Sequence, residues 1–193
     1  MASCACNKST KYAFSDSNLL HFVTFSVVDW TDVFTRVIYK DILVNSIKHC
    51  QKKKGLELYG WVVMTNHVHM IISTTSNSLS NIIRDLKKHT SLQLKDAING
   101  NAESRKDWMM QRFTLAGKAN SNNDNFQFWQ RDNHPLLLLN PVIAHQKLDY
   151  IHYNPVTAGF VEVPEHYLYS SARDYYTSQK GLFDIIILES LHR

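Results

Sequence analysis

Cysteine is scarce in this chain, and its pattern excludes a disulfide-stabilised fold. Three cysteines occur among 193 residues, at Cys4, Cys6 and Cys50, and none forms a Cys-x-x-Cys pair. An odd number without paired spacing gives no disulfide framework, so we expect a reducing, cytoplasmic setting. Cys4 and Cys6 could assist a metal, but the preferred interpretation places them in a flexible N-terminal tail, residues 1–18.

Long hydrophobic runs are also missing. Two of the purely aliphatic runs, residues 136–139 and 185–188, are four residues each, far short of the length that crosses a bilayer. No signal-peptide pattern is visible, and neither a repeat nor a low-complexity linker divides the chain. We therefore expect one domain over residues 19–193, with no membrane partner.

The charge is mildly basic. Lysine and arginine number 21 against 17 acidic residues, a formal net charge of +4. Such a charge is found in nucleic-acid-binding proteins and in many proteins that bind no nucleic acid, so it does not identify the partner.

The sequence WVVMTNHVHMIIS, residues 61–73, is the most informative stretch. Two apolar runs either side of a short polar turn predict a hairpin of buried strands, over residues 56–64 and 67–73. Side chains alternate along a strand, so His67 and His69 project to the same face. Such a pair can offer two nitrogen ligands to one metal, although ordinary strand histidines that bind nothing show the same spacing.

Three further elements surround the hairpin. Residues 19–28 are rich in β-branched and aromatic side chains and predict a strand. Residues 37–54 have a helical period and end in three lysines before Gly55, a helix C-terminal signal. A second helix is predicted to begin at Ser78 or Ser80. Its basic residues, outside the apolar stripe, form either a phosphate-contacting surface or an ordinary solvated face: Arg84, Lys87, Lys88 and Lys95.

The region that follows is polar. A short helix is predicted around residues 108–115, and residues 116–125 lack periodicity and predict a loop. Residues 126–131 alternate aromatic and polar side chains and predict a strand or an extended edge. Within it Trp129 and Arg131 are candidates for DNA contact, Trp129 by stacking on unpaired bases, although a buried aromatic core is the alternative.

A helix predicted over residues 143–153 carries Tyr150, and Asn154 lies four residues later on the same face. Because Pro155 restricts the preceding residue, we expect Asn154 at a frayed last turn. A phenolic oxygen can attack a phosphodiester to form a phosphotyrosine, while a metal held by imidazoles polarises the phosphoryl group. Few other enzyme classes need this combination of side chains.

Five motifs occur in an order and spacing that resemble the HUH-type single-tyrosine transposases, closest to the REP-associated tyrosine transposases. They are MTNHVHMII, LKKHTS, FWQRDNH, YIHYNPVTAGFV and YSSARDY, within residues 19–176. The resemblance implies an α+β fold, with a central antiparallel sheet of the ferredoxin or RNA-recognition type and helices packed on it.

The resemblance also implies roles for individual residues. His67, His69 and Asn154 match the metal-binding positions, for Mg²⁺ or Mn²⁺, and Tyr150 matches the nucleophile. Family members cut single-stranded DNA near a hairpin and stay linked to the 5′ phosphate. Two positions depart from the pattern: Thr65 stands where proline is frequent, and Thr157 where arginine is common.

Several alternatives remain open. Tyr153 is another nucleophile by residue type, and His152 is expected on the helix surface rather than as a ligand. A non-catalytic module that binds hairpin DNA or RNA, a domesticated nickase and a hydrolase that activates water are the competing functions. We expect a monomer, with a dimer that exchanges the tyrosine helix as the alternative.

Overall fold

A computed structural model of the chain describes residues 17–76, 78–120 and 125–189. Within these residues the fold contains a four-stranded sheet and five α-helices. The strands are β1 (His21–Ser26), β2 (Leu56–Val63), β3 (His67–Thr74) and β4 (Leu136–Leu137). The helices are α1 (Val37–Lys54), α2 (Leu79–Gly100), α3 (Lys106–Lys118), α4 (Pro141–Thr157) and α5 (Ala172–Tyr176).

The sheet has the strand order β2-β3-β1-β4 and is antiparallel throughout. The predicted hairpin is formed by β2 and β3, and β1 pairs along the other side of β3. This register places Thr24 of β1 directly opposite His69 of β3. The predicted α+β class with an antiparallel sheet is confirmed.

Helices cover both faces of the sheet. Tyr150 of α4 contacts His69, so α4 lies on the histidine face. The ammonium of Lys87 in α2 lies 5.7 Å from the ring centroid of Phe25, which is paired with Val68 on the opposite face. Because neighbouring residues of β3 point to opposite faces, Val68 faces the α2 side and the histidines face α4. The apolar core extends to both faces, since Ile71 shares the histidine face and packs near Leu148 and Ile151 of α4.

Both long edges of the sheet are covered by irregular chain. The YSSARDY motif runs along β2, where Val63 donates its N–H to the Tyr169 carbonyl and Ser171 donates to Trp61. The FWQRDNH motif runs along β1, where Gln130 donates its N–H to the Ser26 carbonyl. The two motifs therefore supply part of the hydrogen bonding on the outer side of β2 and of β1.

The predicted helix over residues 37–54 is confirmed to the residue as α1. Gly55 follows it with φ of 69°, in the left-handed region that glycine tolerates. The first strand is shorter than predicted, because the chain leaves the sheet after Ser26 and forms a 3-10 turn at Val28–Trp30.

The predicted end of the tyrosine helix is wrong. α4 continues through Pro155 to Thr157, so Asn154 lies inside the helix rather than at a frayed turn. Only the last turn follows the proline, and that turn is closed by a Schellman motif. Gly159, with φ of 75°, donates its N–H to Val156, and Phe160 donates to Pro155.

The chain between α2 and α4 differs in detail from the prediction. α3 extends beyond the expected residues 108–115 at both ends. Residues 126–131 form an extended edge with one bridge, between Val27 and Trp129, and β4 was not predicted. Residues 121–124 of the predicted loop lie outside the described residues.

The predicted N-terminal tail is described only at its end. Residues 1–16, with Cys4 and Cys6, lie outside the described residues. Ser17 belongs to the folded domain, because its carbonyl accepts the Thr74 N–H and its hydroxyl accepts the Leu79 N–H. Among the described helices, none has the length and apolar character needed to cross a membrane.

Candidate active site

Two histidines of β3 form the centre of the site. His67 and His69 lie on the same face of the strand, with ring centroids 4.7 Å apart. His69 is buried at 5% exposure, and His67 is partly exposed. The alternation predicted from the sequence therefore places two imidazoles side by side.

A hydrogen-bond chain fixes the orientation of His67. Asn66 donates its Nδ2 to Asp32 Oδ1 at 2.9 Å, which leaves the amide oxygen to face the histidine. That oxygen lies 2.7 Å from His67 Nδ1, so Nδ1 carries the proton and donates. The remaining nitrogen, Nε2, keeps its lone pair.

His69 is held by the neighbouring strand. Its Nδ1 lies 2.8 Å from the hydroxyl of Thr24, and Phe22 stacks on the ring at a centroid distance of 5.3 Å. Both Nδ1 atoms are thus engaged by the protein. This is the arrangement found around metal-ligating histidines, where a second partner orients the ring.

Burial favours the neutral form of both imidazoles. Desolvation lowers the pKa of His67, and the nearby Asp32 opposes this shift. The pKa of His69 is lowered to about 3, first by burial, then by repulsion from His67 whenever that ring is protonated, and then by the charge of Lys147. Neutral imidazole is the form that binds a metal, so the electrostatics favour ligand nitrogens near pH 7.

Tyr150 reaches this pair from α4. Its hydroxyl lies 3.4 Å from His69 Nε2, and the two ring centroids are 5.1 Å apart. The side chain is 49% exposed, so a substrate can approach the phenolic oxygen. Lys147, one turn earlier, places its ammonium 5.7 Å from the centroid of the Tyr150 ring. The fold brings together two sequence segments that are 81 residues apart.

Other residues of α4 are arranged differently. Asn154 lies one turn beyond Tyr150 and is partly buried, and within the described residues its side chain makes no hydrogen bond. Tyr153 is 51% exposed. The expectation for His152 is wrong: it is fully buried, with Nε2 2.8 Å from Ser171 Oγ, because the YSSARDY motif packs over it.

The donor set fits a hard divalent cation only if oxygen ligands complete it. No group of three or more His, Cys, Asp or Glu residues that could hold a metal occurs in the described parts of the chain. Two imidazole nitrogens are available, with the free amide of Asn154 one helical turn from Tyr150. Such a site leaves coordination positions for water or a phosphate oxygen, as Mg²⁺ prefers.

A basic groove lies between α2 and the FWQRDNH segment, with a volume of about 850 Å³. All six residues named from the sequence as candidates for DNA contact line it: Arg84, Lys87, Lys88, Lys95, Trp129 and Arg131. Two of them have structural roles. Lys87 donates hydrogen bonds to the Gln130 carbonyl and to Asn133 Oδ1, and Trp129 is buried at 5% exposure with its indole N–H bonded to Thr90.

Sequence reasoning missed the residues that orient the histidines. Thr24 and Asp32 support the pair from outside the five motifs, and Asn66 lies within the first motif but was given no role from the sequence. Asn66 could have been noticed as the polar neighbour of His67. Thr24 becomes visible only when the register of β1 on β3 is known.

The fold of this chain is shared by a solved protein. In structural comparison the chain is similar to a REP-associated tyrosine transposase solved bound to a REP hairpin, with a TM-score of 0.62 and 18% identity. That match covers 96% of this chain and 100% of the other. At this identity it shows that the two share a fold.

A second solved structure, assigned as a transposase of Deinococcus radiodurans, matches with a TM-score of 0.43 and 17% identity. The match covers 76% of this chain and 95% of the other chain. No curated protein matches the chain.

Sequence comparison gives the family. Residues 17–121 match the profile of the family described as "Transposase IS200 like", which is more than half of the chain. The chain belongs to this transposase family, and the resemblance inferred from its motifs is confirmed.

Proposed function

We propose that the protein is a metal-dependent endonuclease and strand transferase for single-stranded DNA at hairpins. Tyr150 is the nucleophile of this reaction. The observation that carries the proposal is the 3.4 Å separation of the Tyr150 hydroxyl from His69 Nε2, which places a solvent-accessible phenol beside two neutral imidazoles. A covalent phosphotyrosine keeps the energy of the broken phosphodiester, so a tyrosine nucleophile can cut and rejoin strands without an external energy source.

In the covalent step, the Tyr150 oxygen attacks the phosphorus of a phosphodiester. A new ester forms between the phenolic oxygen and the 5′ phosphate, and the bond from phosphorus to the 3′ oxygen breaks. The phenolic proton leaves to solvent, and the departing 3′ oxygen takes up a proton to give a free hydroxyl. Attack by another 3′ hydroxyl on the phosphotyrosine reverses these changes and joins the strands.

His67, His69 and Asn154 are the residues that would hold Mg²⁺ or Mn²⁺. When bound, the ion polarises the phosphoryl oxygen and positions the scissile bond. The protein's own part is to present two oriented Nε2 atoms, to place the phenol beside them and to keep the imidazoles neutral. Asp32, through Asn66, and Thr24 act as the supports of that arrangement.

The basic groove is the proposed path of the DNA backbone. The solved transposase of the same fold is bound to a REP hairpin, and a hairpin stem with an adjoining single strand is the substrate proposed here. Arg84, Lys88, Lys95 and Arg131 supply phosphate contacts, whereas Lys87 and Trp129 hold the groove in shape. Tyr150 meets the sheet of its own chain, which supports a monomer as the active unit.

A covalent-adduct assay tests the proposal. Purified protein is incubated with labelled single-stranded hairpin oligonucleotides from its genomic neighbourhood and Mn²⁺ or Mg²⁺, and the products are separated on a denaturing gel. We expect a labelled band at protein mass that disappears with EDTA and in Tyr150→Phe. Tyr153→Phe, an exposed tyrosine of the same helix, is the matched control and should retain the band.

Two other outcomes overturn the proposal. Cleavage without an adduct, unaffected by Tyr150→Phe, indicates a hydrolase that activates water. Hairpin binding with neither cleavage nor adduct under either metal indicates a non-catalytic binding module.

A further inference from the structure

A half-exposed tryptophan borders the histidine pair. Trp30 is 56% exposed, and its ring contacts that of His67 with centroids 5.8 Å apart and planes at 76°. Of the four tryptophans, Trp61 and Trp129 are buried, and Trp108 has the Arg112 guanidinium 4.6 Å from its ring centroid. Trp30 is therefore an exposed indole placed directly beside the candidate metal ligands.

The backbone holds Trp30 in an unfavourable conformation. Asp29 and Trp30 both have φ of 52°, in the left-handed region that bulky side chains avoid. Hydrogen bonds across the turn maintain it, from the Trp30 N–H to Val27 and from the Thr31 N–H and hydroxyl to Val28. Asp29 is also paired with Arg112 at 3.5 Å. Strain of this kind accumulates at functional sites, where the surrounding structure enforces it.

Trp30 lies between the basic groove and the histidines. A cavity of about 610 Å³ beside Trp30 shares four wall residues with the groove: Asn120, Gln127, Gln130 and Arg131. On its other side Trp30 contacts His67. A strand that runs from the groove through this cavity to the histidine pair would pass the indole.

We propose that Trp30 is a stacking platform for one unpaired base of the DNA, next to the phosphate that Tyr150 attacks. The nature of the substrate rests on the proposed function. Every base has a π-face, so stacking on an indole binds an unpaired nucleotide with little sequence preference. Clamping the base beside the scissile phosphate would hold that phosphate against the phenol and the two imidazoles.

The experiment measures stacking directly, in a Tyr150→Phe background so that no cleavage occurs. Hairpin oligonucleotides carry the fluorescent base 2-aminopurine at single positions along the unpaired strand, and stacking quenches its emission. We expect quenching at one or two adjacent positions. Trp30→Phe should retain it. Trp30→Asn removes the ring but tolerates a positive φ, and should abolish the quenching and weaken Kd by about 5- to 100-fold.

Controls separate this inference from the proposed function. Trp108→Leu removes another exposed indole and should leave both signals unchanged, and thermal unfolding checks that each variant folds. Quenching that is absent at every position, or equal in Trp30→Asn, overturns the stacking platform. An adduct that forms equally well in Trp30→Asn, with Kd unchanged, leaves the proposed function intact while the platform fails. If the quenching depends on Trp30 but the unsubstituted protein forms no adduct, the stacking platform stands and the proposed function fails.

Discussion

The hydroxyl of Thr24 lies 2.8 Å from Nδ1 of His69, across the pairing of β1 with β3. The contact joins a residue outside every sequence motif to one at the centre of the site. If Nδ1 donates to the hydroxyl, Nε2 is left with its lone pair facing Tyr150. One threonine can thus decide which nitrogen is offered for chemistry.

Replacement of Thr24 should weaken metal binding without removing a ligand. We expect Thr24→Val, which keeps the shape and loses the hydroxyl, to lower Mn²⁺ affinity by about 10- to 100-fold, and Thr24→Ser to restore it. Titration calorimetry measures the affinity, and ¹⁵N chemical shifts of the imidazole report the tautomer. An unchanged tautomer in Thr24→Val would show that the hydroxyl has no orienting role.

Asn154 is expected to supply an oxygen ligand. Asn154→Ala should reduce Mn²⁺ affinity and adduct formation together, whereas Asn154→Asp keeps an oxygen at the same place and should retain binding. Calorimetry and the adduct assay measure the two effects. Equal metal affinity in the unsubstituted protein and in Asn154→Ala would remove this residue from the proposed site.

Adjacent lysines in α2 should respond differently to the same change. Lys87 is partly buried and bonded to Gln130 and Asn133, and burial lowers its pKa to about 8. Lys87→Met leaves both acceptors unpaired and should cost about 1–3 kcal/mol of unfolding free energy, measured by urea denaturation.

Lys88 is exposed and provides the matched comparison. Lys88→Met should leave stability within about 0.5 kcal/mol and reduce the slope of log Kd against log salt for hairpin DNA by about 0.7 to 0.9. A stability loss in Lys88→Met as large as that in Lys87→Met would contradict the distinction between the two roles.

The buried His152 should make stability depend on pH. Burial lowers its pKa to about 3, whereas an unfolded histidine titrates near 6.5. Below pH 6.5 the unfolded chain binds a proton that the folded chain refuses, so the unfolding free energy falls as pH drops from 6.5 toward 3. His152 alone accounts for about 2 kcal/mol of loss between pH 7.5 and 5.0.

Urea denaturation of the metal-free protein at these two pH values measures the effect. His69 shifts in the same direction, so the comparison with His152→Gln isolates the share of His152. We expect the pH-dependent loss to be smaller in His152→Gln by about that amount. An equal loss in both proteins would mean that His152 is protonated in the folded state.

Local sequence patterns correctly predicted the helix α1 and the hairpin of β2 and β3. The lysine-rich end of α1 before Gly55, and the apolar runs around the central turn, specify structure within a few residues. Local patterns did not predict the contacts between distant segments. The approach of Tyr150 to His69 was expected only because the motifs resembled a family, since no periodicity links residues 81 apart.

The wrong or missing predictions concern residues whose conformation or burial depends on their surroundings in the fold. His152 was placed on the surface because nothing in its helix reveals that a later segment packs over it. Pro155 was expected to end the helix, but its missing N–H is tolerated one turn before a glycine-closed end. Trp30 was not noticed, because a positive φ at a bulky residue is set by the turn's surroundings rather than by its own preference.

The covered edges of the sheet restrict how other chains can associate with this protein. β2 is bonded along its length by residues 169–171 and by the Ile186 N–H, and the outer side of β1 by the chain from Phe128 to Leu138. In the described part of the chain, the strand at the other edge of the sheet from β2 is β4, which has only two residues. Within the described residues a second copy therefore finds almost no unpaired strand backbone, which disfavours strand-by-strand aggregation and leaves helices and grooves as the surfaces for assembly.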